Sequence, residues 1–257
     1  MKTTRPTVIK LGGSTLGAHD TSLHDIADAC REGRSIVVVH GGGAAISAWL
    51  ERAGLGARFV RGLRVTDEAS LEIVVAVLAG VVNKQLVAQL NALGAPAVGL
   101  SGADGMMLQA RRYDDELGFV GKVEQVDPRL LEELLGSGHL PVVAPIAIEP
   151  GAAQLLNTNA DTAAGEIAAA LQAERLIFLT DVAGVLEPDK RLISQLTATE
   201  ARALIDAGTA TGGMIPKLEA AIRAASAGCA TRIVDGTAAG VLAGVLAGDV
   251  RGTRVDS

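Results

Sequence analysis

The sequence predicts an α/β protein: a central, mostly parallel sheet covered by helices on both faces, in three layers. Three observations predict it. Apolar strand-like runs alternate with Ala/Leu-rich helical runs along all 257 residues. Several runs, such as "IVVV" within Ser35–His40 and "LIFL" within Arg175–Thr180, are continuous instead of alternating, as strands buried on both faces should be. The helical runs carry start and stop residues at their ends.

Taken in order, strands are expected at Thr7–Leu11, Ser35–His40, Ala97–Leu100, Leu140–Ile148, Arg175–Thr180 and Thr231–Val234. Helices are expected at Ala44–Ala53, Glu68–Leu93, Pro128–Leu135, Ala160–Leu171, Glu200–Ala207 and Lys217–Ala227. Asp127-Pro128 reads as an N-cap followed by proline at the first helical position. Thr197 and Glu200 have capping-box spacing, and Gly208 closes that helix. The polar stretch from Gly102 to Gly121 reads as short strands or a hairpin. No repeat or low-complexity linker interrupts the chain, which favours two lobes sharing one sheet over two separable domains.

Composition excludes several function classes. A net charge of -6 and 2% aromatics give neither a basic footprint for nucleic acid nor a platform for stacking bases. Cys30 and Cys229 are too few for a disulfide framework and lack CxxC spacing, so they read as reduced thiols of a cytoplasmic protein. From the short polar start, Met1 to Pro6, no signal peptide is expected. The most apolar run, Ile73 to Val82, is too short to span a bilayer and reads as a buried helix, so no membrane partner is expected.

Ligands of open α/β sheets bind beyond the carboxyl ends of strands, where helix N-termini present free N–H groups. Three segments combine a strand end or helix start with glycine: Lys10-Leu11-Gly12-Gly13, "VVVHGGGAAI" with Gly41, Gly42 and Gly43, and "TGGMIPKLEAA" with Gly212, Gly213 and Lys217. Each alone reads as readily as a tight turn. Three together, two with lysine, favour an anion such as phosphate. Lys10 within an apolar strand demands a counter-charge. GxxxxGK[ST], GxGxxG, HExxH, GxSxG and CxxC are all missing, which disfavours P-loop, dinucleotide-binding, zinc-protease, serine-hydrolase and thiol-redox chemistry.

In "LLNTNADTAAGEIAAAL", Asn157, Asn159 and Asp161 alternate into a helix start, where capping alone would need one of them. The alternatives are a capped helix or a substrate-holding amide beside a cation-orienting acid. Arg64 in "RGLRVTDEAS" is either a solvated charge or a planar fork for a carboxylate. Thr180-Asp181 in "LTDVAGVL" is either a ligand contact or an Asx-turn. His19, His24, His40 and His139 have no ligand spacing and read as structural or surface groups, with His40 a candidate to line the cleft.

In their order, "IKLGG", "VVHGGG", "GLRVT", "LGFVGKV", "NTNADTAAGEIAAAL", "LTDVAGVL", "GGMIPKLEAA" and "GTRV" resemble the amino acid kinase family through nearly the whole chain. Within it, "GLRVT", "LGFVG" and "N-x-NAD" are most similar to the members that act on N-acetyl-L-glutamate in arginine biosynthesis. The resemblance implies an αβα sandwich as one domain over residues 1–257. The lobe up to about residue 172 would hold the amino acid and make the dimer, and that from about 173 would hold ATP. It implies phosphoryl transfer from ATP to the acceptor's side-chain carboxylate, with Mg²⁺ held mainly by the nucleotide phosphates and no protein metal site.

By the same resemblance Lys10 and Lys217 flank the transferring phosphoryl group and Asp161 orients both. Gly12, Gly13, Gly42 and Gly43 meet phosphate or substrate through their backbones. Arg64 and Asn157 hold the acceptor, and Asp181, Thr211, Gly212 and Gly213 border the nucleotide. A carboxylate acceptor is already ionised at neutral pH, so no general base is needed. The few residues before the first strand lead us to expect a homodimer that arginine does not inhibit. The rival expectations are a kinase of lysine biosynthesis acting on a carrier-linked aminoadipyl or glutamyl group, and a non-catalytic nucleotide sensor of the same fold.

Overall fold

The continuous apolar runs become the strands of one large sheet. The computed structural model describes residues 5–12 and 21–257. In its first part, β1 (Thr7–Leu11), α1 (Ser22–Arg31), β2 (Ile36–His40) and α2 (Gly43–Arg52) lead to a hairpin of β3 (Phe59–Val60) and β4 (Leu63–Arg64). A long helix follows, α3 (Glu68–Val75) running through a π-helical turn at Ala76–Val82 into α4 (Asn83–Ala92). Next come β5 (Ala97–Ser101), β6 (Leu108–Arg112), β7 (Gly121–Val126), α5 (Arg129–Gly136), β8 (Leu140–Ala144), β9 (Ile146–Glu149) and β10 (Gln154–Asn157).

The rest comprises α6 (Ala160–Ala170), β11 (Arg175–Thr180), β12 (Gln195–Thr197), α7 (Ala198–Asp206), α8 (Met214–Ala225), β13 (Ala230–Asp235), α9 (Val241–Ala247) and β14 (Thr253–Asp256). The eight-stranded sheet runs β12-β14-β13-β11-β1-β2-β8-β5, so the two halves of the chain meet where β1 pairs with β11. Among the described residues every neighbouring pair in it is parallel except β13 with β14.

Alternation along each strand sorts the core into two layers. Val8, Val37, Val39 and Phe178 point to one face, under Ala163 and Ile167 of α6 and Leu218 of α8. Ile9, Leu11, Val38 and Ile177 point to the other, against α1, α4 and α9. A second sheet, β10-β9-β6-β7, closes the first face beside α6. The three-layer expectation is borne out.

Several boundaries differ from the sequence reading for physical reasons. The run from Leu140 to Ile148 is two strands in two sheets, because Pro145 has no N–H for a ladder and ends β8. Asp127 accepts from the Arg129 amide at 3.1 Å, but α5 begins one residue later than expected. The Thr197/Glu200 capping box forms with both bonds. The apolar run is part of a 25-residue helix, Glu68–Ala92, which is long and apolar enough to cross a membrane by length and composition, unlike the ten-residue run expected. Of its most apolar window 33% is buried in the chain, so it is a partly covered helix and not a fully buried one.

Candidate active site

The parallel strands β1, β2 and β11 end together, and the chain delivers its chemistry at those ends. Lys10 is the fourth residue of β1, registered against Val39 of β2 and Phe178 of β11. Its side chain therefore leaves on the α6 face. There its Nζ lies 2.8 Å from Asp161 Oδ1, an ion pair that is not aligned as a hydrogen bond. Lys217, one turn into α8, donates to Asp161 Oδ2 at 3.1 Å and to the Gly213 carbonyl at 3.2 Å. Two ammonium groups from opposite halves of the chain thus share one buried carboxylate. With Lys10 and Lys217 both charged, the trio keeps one net positive charge for an anion.

The alternating polar run of the sequence divides into three tasks. Asn159 is the N-cap of α6, accepting from the amides of Asp161 (2.8 Å) and Thr162 (3.1 Å). Asp161 lies in the first turn, where the helix dipole favours an anion. Asn157 ends β10. Close helix packing sets the bridge to Lys217: a Cβ on Gly165 would sit 2.7 Å from Ala220 Cβ and 2.8 Å from its Cα, so only glycine lets α6 lie this near α8.

Beside this trio is a cavity of about 300 Å³ whose walls include Gly41, Gly42, Gly43, Arg64, Asn157 and Ala160. The free amides at the start of α2 open on it. Arg64 is 8% exposed. One of its terminal nitrogens, Nη2, donates to the Gly43 carbonyl at 3.0 Å and to Ser47 Oγ at 2.8 Å. The other, Nη1, is buried with no acceptor among the described residues, a spare donor that suits one oxygen of a carboxylate. Burial pulls the guanidinium below its ordinary value, and the half-exposed Phe59 ring lies 4.7 Å from it. The β3–β4 hairpin carrying both turns at Arg61 and Gly62, whose φ angles of 50° and 77° mark a type I′ turn.

Sequence reasoning assigned "LGFVG" no task of its own, and the structure supplies one. Phe119 donates to the Thr66 carbonyl (2.7 Å), Thr66 to the Leu117 carbonyl (3.0 Å), and Asn157 to the Phe119 carbonyl (2.9 Å). Asn157 Nδ2 also reaches Thr66 Oγ1 at 3.0 Å. These bonds lace "GLRVT", "LGFVG" and "NTNAD" into one wall. Gly118, at φ 68°, is required there: a Cβ would meet the Thr66 carbonyl at 2.5 Å.

The expected nucleotide residues lie on the other half. Thr180 ends β11 and donates to Asp181 Oδ1 at 3.2 Å, while Asp181, Thr211, Gly212 and Gly213 are exposed. Thr211–Gly213 form the turn into α8, with Gly212 at φ 53°. One expectation narrows. The Gly12 amide donates to the Leu179 carbonyl at 3.1 Å, which extends the β1–β11 ladder, so that N–H is not turned to a phosphate. Gly13 lies outside the described residues, as does His19. His40 is buried behind the cavity wall, not on it.

The lysine–aspartate trio at the strand ends offers the charge neutralisation that phosphoryl transfer requires. The sequence matches the Amino acid kinase family over residues 5–235, and the chain belongs to that family. It is 45% identical over 234 residues to an acetylglutamate kinase of Dehalococcoides mccartyi, covering 89% of this chain and 86% of that one. It is 48% identical over 241 residues to the acetylglutamate kinase of Parasynechococcus marenigrum, covering 90% and 82%. Among solved structures it is similar to N-acetylglutamate synthase from Neisseria gonorrhoeae complexed with coenzyme A and N-acetyl-glutamate. There the TM-score is 0.85 at 28% identity, over 98% of this chain and 59% of that longer one.

Proposed function

We propose that this chain transfers the γ-phosphoryl group of ATP to the side-chain carboxylate of N-acetyl-L-glutamate, giving N-acetyl-L-glutamyl 5-phosphate and ADP in arginine biosynthesis. The observation that carries the reading is the Asp161 bridge between Lys10 and Lys217, next to a cavity with a buried, half-used arginine fork. The acetylglutamate kinase relatives at 45–48% identity support the choice of acceptor.

In this reading Arg64 takes the acceptor's α-carboxylate on its free Nη1, and Asn157 braces the wall beside it. The α2 amides at Gly42 and Gly43 face the side-chain carboxylate. One carboxylate oxygen forms the new bond to the γ-phosphorus while the bond to the β,γ-bridging oxygen breaks and ADP leaves. No proton moves. Lys10 and Lys217 offset the charge that develops on the transferring oxygens, and Asp161 keeps the two ammonium groups in place. A lysine about 4 Å from such a charge is worth roughly 4 kcal/mol at an effective dielectric of about 20.

The Thr211–Gly213 turn and Asp181 border the nucleotide, in a lobe from about residue 173, with the acceptor in the lobe before it. Mg²⁺ fits as a passenger of ATP, since the buried Asp161 carboxylate is already engaged by two lysines. It would supply charge neutralisation on the β and γ oxygens. The same reading makes the chain a cytoplasmic homodimer through the outward face of the Glu68–Ala92 helix, where Ala69, Ala76 and Gly80 are exposed. Light scattering that returns the mass of one chain would refute the dimer.

Trapping with hydroxylamine tests the activity. Hydroxamate should form only with ATP and N-acetyl-L-glutamate together. Equal product from N-acetyl-aminoadipate would favour the lysine-biosynthesis kinase, and no product from any acidic amino acid would favour a nucleotide sensor.

A further inference from the structure

Behind the glycine loop lies a buried polar pair that the chemistry above does not use. Asn83, the first residue of α4 after the π-helical turn, is fully buried against the face of the sheet opposite Lys10. Its amide orientation is forced by its neighbours. Nδ2 donates to the Val142 carbonyl at 2.8 Å and lies 3.4 Å from that of Leu100, while Oδ1 accepts from Lys84 Nζ at 3.1 Å. The remaining Nδ2 hydrogen meets His40 Nε2 at 3.1 Å. A nitrogen that accepts carries no hydrogen, so the proton of the neutral ring is on Nδ1. Nδ1 is 2.9 Å from the Gly41 carbonyl and donates to it.

That bond has a geometric consequence. His40 and Lys10 leave the sheet on opposite faces, since Lys10 is registered against Val39 and side chains alternate. The Gly41 carbonyl is drawn to the His40 face. In a planar trans peptide the carbonyl and the following N–H point in opposite directions. The Gly42 N–H is therefore turned to the Lys10 face, beside the cavity it lines, and among the described residues no backbone carbonyl accepts from it.

We propose that His40 and Asn83 are positioning residues: Asn83 holds His40 in its Nδ1–H tautomer, and His40 pins the Gly41–Gly42 peptide so that the Gly42 amide faces the reacting anion. This deepens the kinase reading, and its kinetic arm rests on that reading. Burial lowers the His40 pKa to about 4, so the ring stays neutral and keeps one donor at working pH. The assembly has a remote support as well. Gly99 on β5 leaves room for Asn83, because a Cβ there would lie 2.1 Å from Asn83 Oδ1.

The amide itself cannot be deleted by mutation, but its holder can. His40→Asn keeps a donor near the Nδ1 position, whereas His40→Phe keeps only bulk. The expected result is that His40→Phe lowers kcat/KM for N-acetyl-L-glutamate about 10–100-fold, somewhat less than loss of an oxyanion donor. The KM for ATP should stay within about threefold, and His40→Asn should recover most of the loss. Gly99→Ala should mimic the phenylalanine variant at a distance. Equal losses in His40→Asn and His40→Phe, or no loss in either, would overturn the proposal. Should His40→Phe not fold, ¹⁵N spectra of the wild-type histidines decide independently. An Nδ1–H signature for His40 is expected, and an Nε2–H or charged ring at pH 7 would refute it. If wild type makes no acyl phosphate, the kinase reading fails, and the tautomer measurement still judges the pair.

Discussion

The proposed acceptor half and the proposed nucleotide half of this site are built differently. On the acceptor side Arg64, Thr66, Asn157 and Thr158 are buried, and the side chain of each hydrogen-bonds within the wall. On the nucleotide side Asp181 and Thr211–Gly213 sit on exposed turns at strand and helix ends. A buried wall laced by hydrogen bonds is shaped before its ligand arrives, so it can reject a wrong acid. An exposed turn meets its ligand with backbone groups that already faced water. The contrast suits a kinase whose acceptor is a small acid needing discrimination and whose donor brings its own charge and metal. The Lys10–Asp161–Lys217 trio is the seam between the two halves.

Breaking the seam should have the largest effect. Asp161→Asn leaves the buried Lys10 and the partly buried Lys217 without their shared counter-charge. Removing one partner of a buried pair costs about 3–5 kcal/mol. Urea unfolding should show a loss of that size, with acyl phosphate formation close to background, and a variant as stable as wild type would contradict the role. Next is the acceptor wall. Arg64→Lys keeps a charge but loses the fork, so KM for N-acetyl-L-glutamate should rise about 10–100-fold, as expected for charged hydrogen bonds of roughly 1.5–3 kcal/mol. The KM for ATP should not follow, and parallel changes in both would erase the contrast between the halves. The smallest effect belongs to the nucleotide turn. Gly212 has φ 53°, and a methyl group added there would have nothing within 4 Å among the described residues, so the expected cost of Gly212→Ala is backbone strain. About 1 kcal/mol is expected, seen as a rise of roughly fivefold in KM for ATP. A hundredfold rise would mean that this turn is as tightly built as the acceptor wall.

Much of this was legible in the residues. β1 and β11 begin and end where the sequence reading places them, because a strand buried on both faces is apolar at most positions and its run stands out from the polar ends around it. The trio was legible through a cost: Lys10 in an apolar strand required a carboxylate, and Asp161 heads an Ala-rich helix. Arg64 was ambiguous, since the partners that bury it, Gly43, Ser47 and Phe59, are distant in sequence or on another element. That the Gly12 amide serves the β1–β11 ladder was not legible, because the direction of an N–H is a property of register, which composition does not carry. The π-helical turn has no sequence period of its own, yet it places Asn83 under the sheet. Short α9 and the two-residue strands of the β3–β4 hairpin offer too few residues for any period to show.

The central claim is that one ammonium group from each half acts on the same transferring phosphoryl group. Steady-state acyl phosphate formation by Lys217→Ala, with ATP affinity measured alongside, tests it most directly. The account predicts turnover lower by about 10²–10³-fold with KM for ATP changed only a few-fold. Unchanged turnover, or a loss confined to ATP affinity, would contradict it.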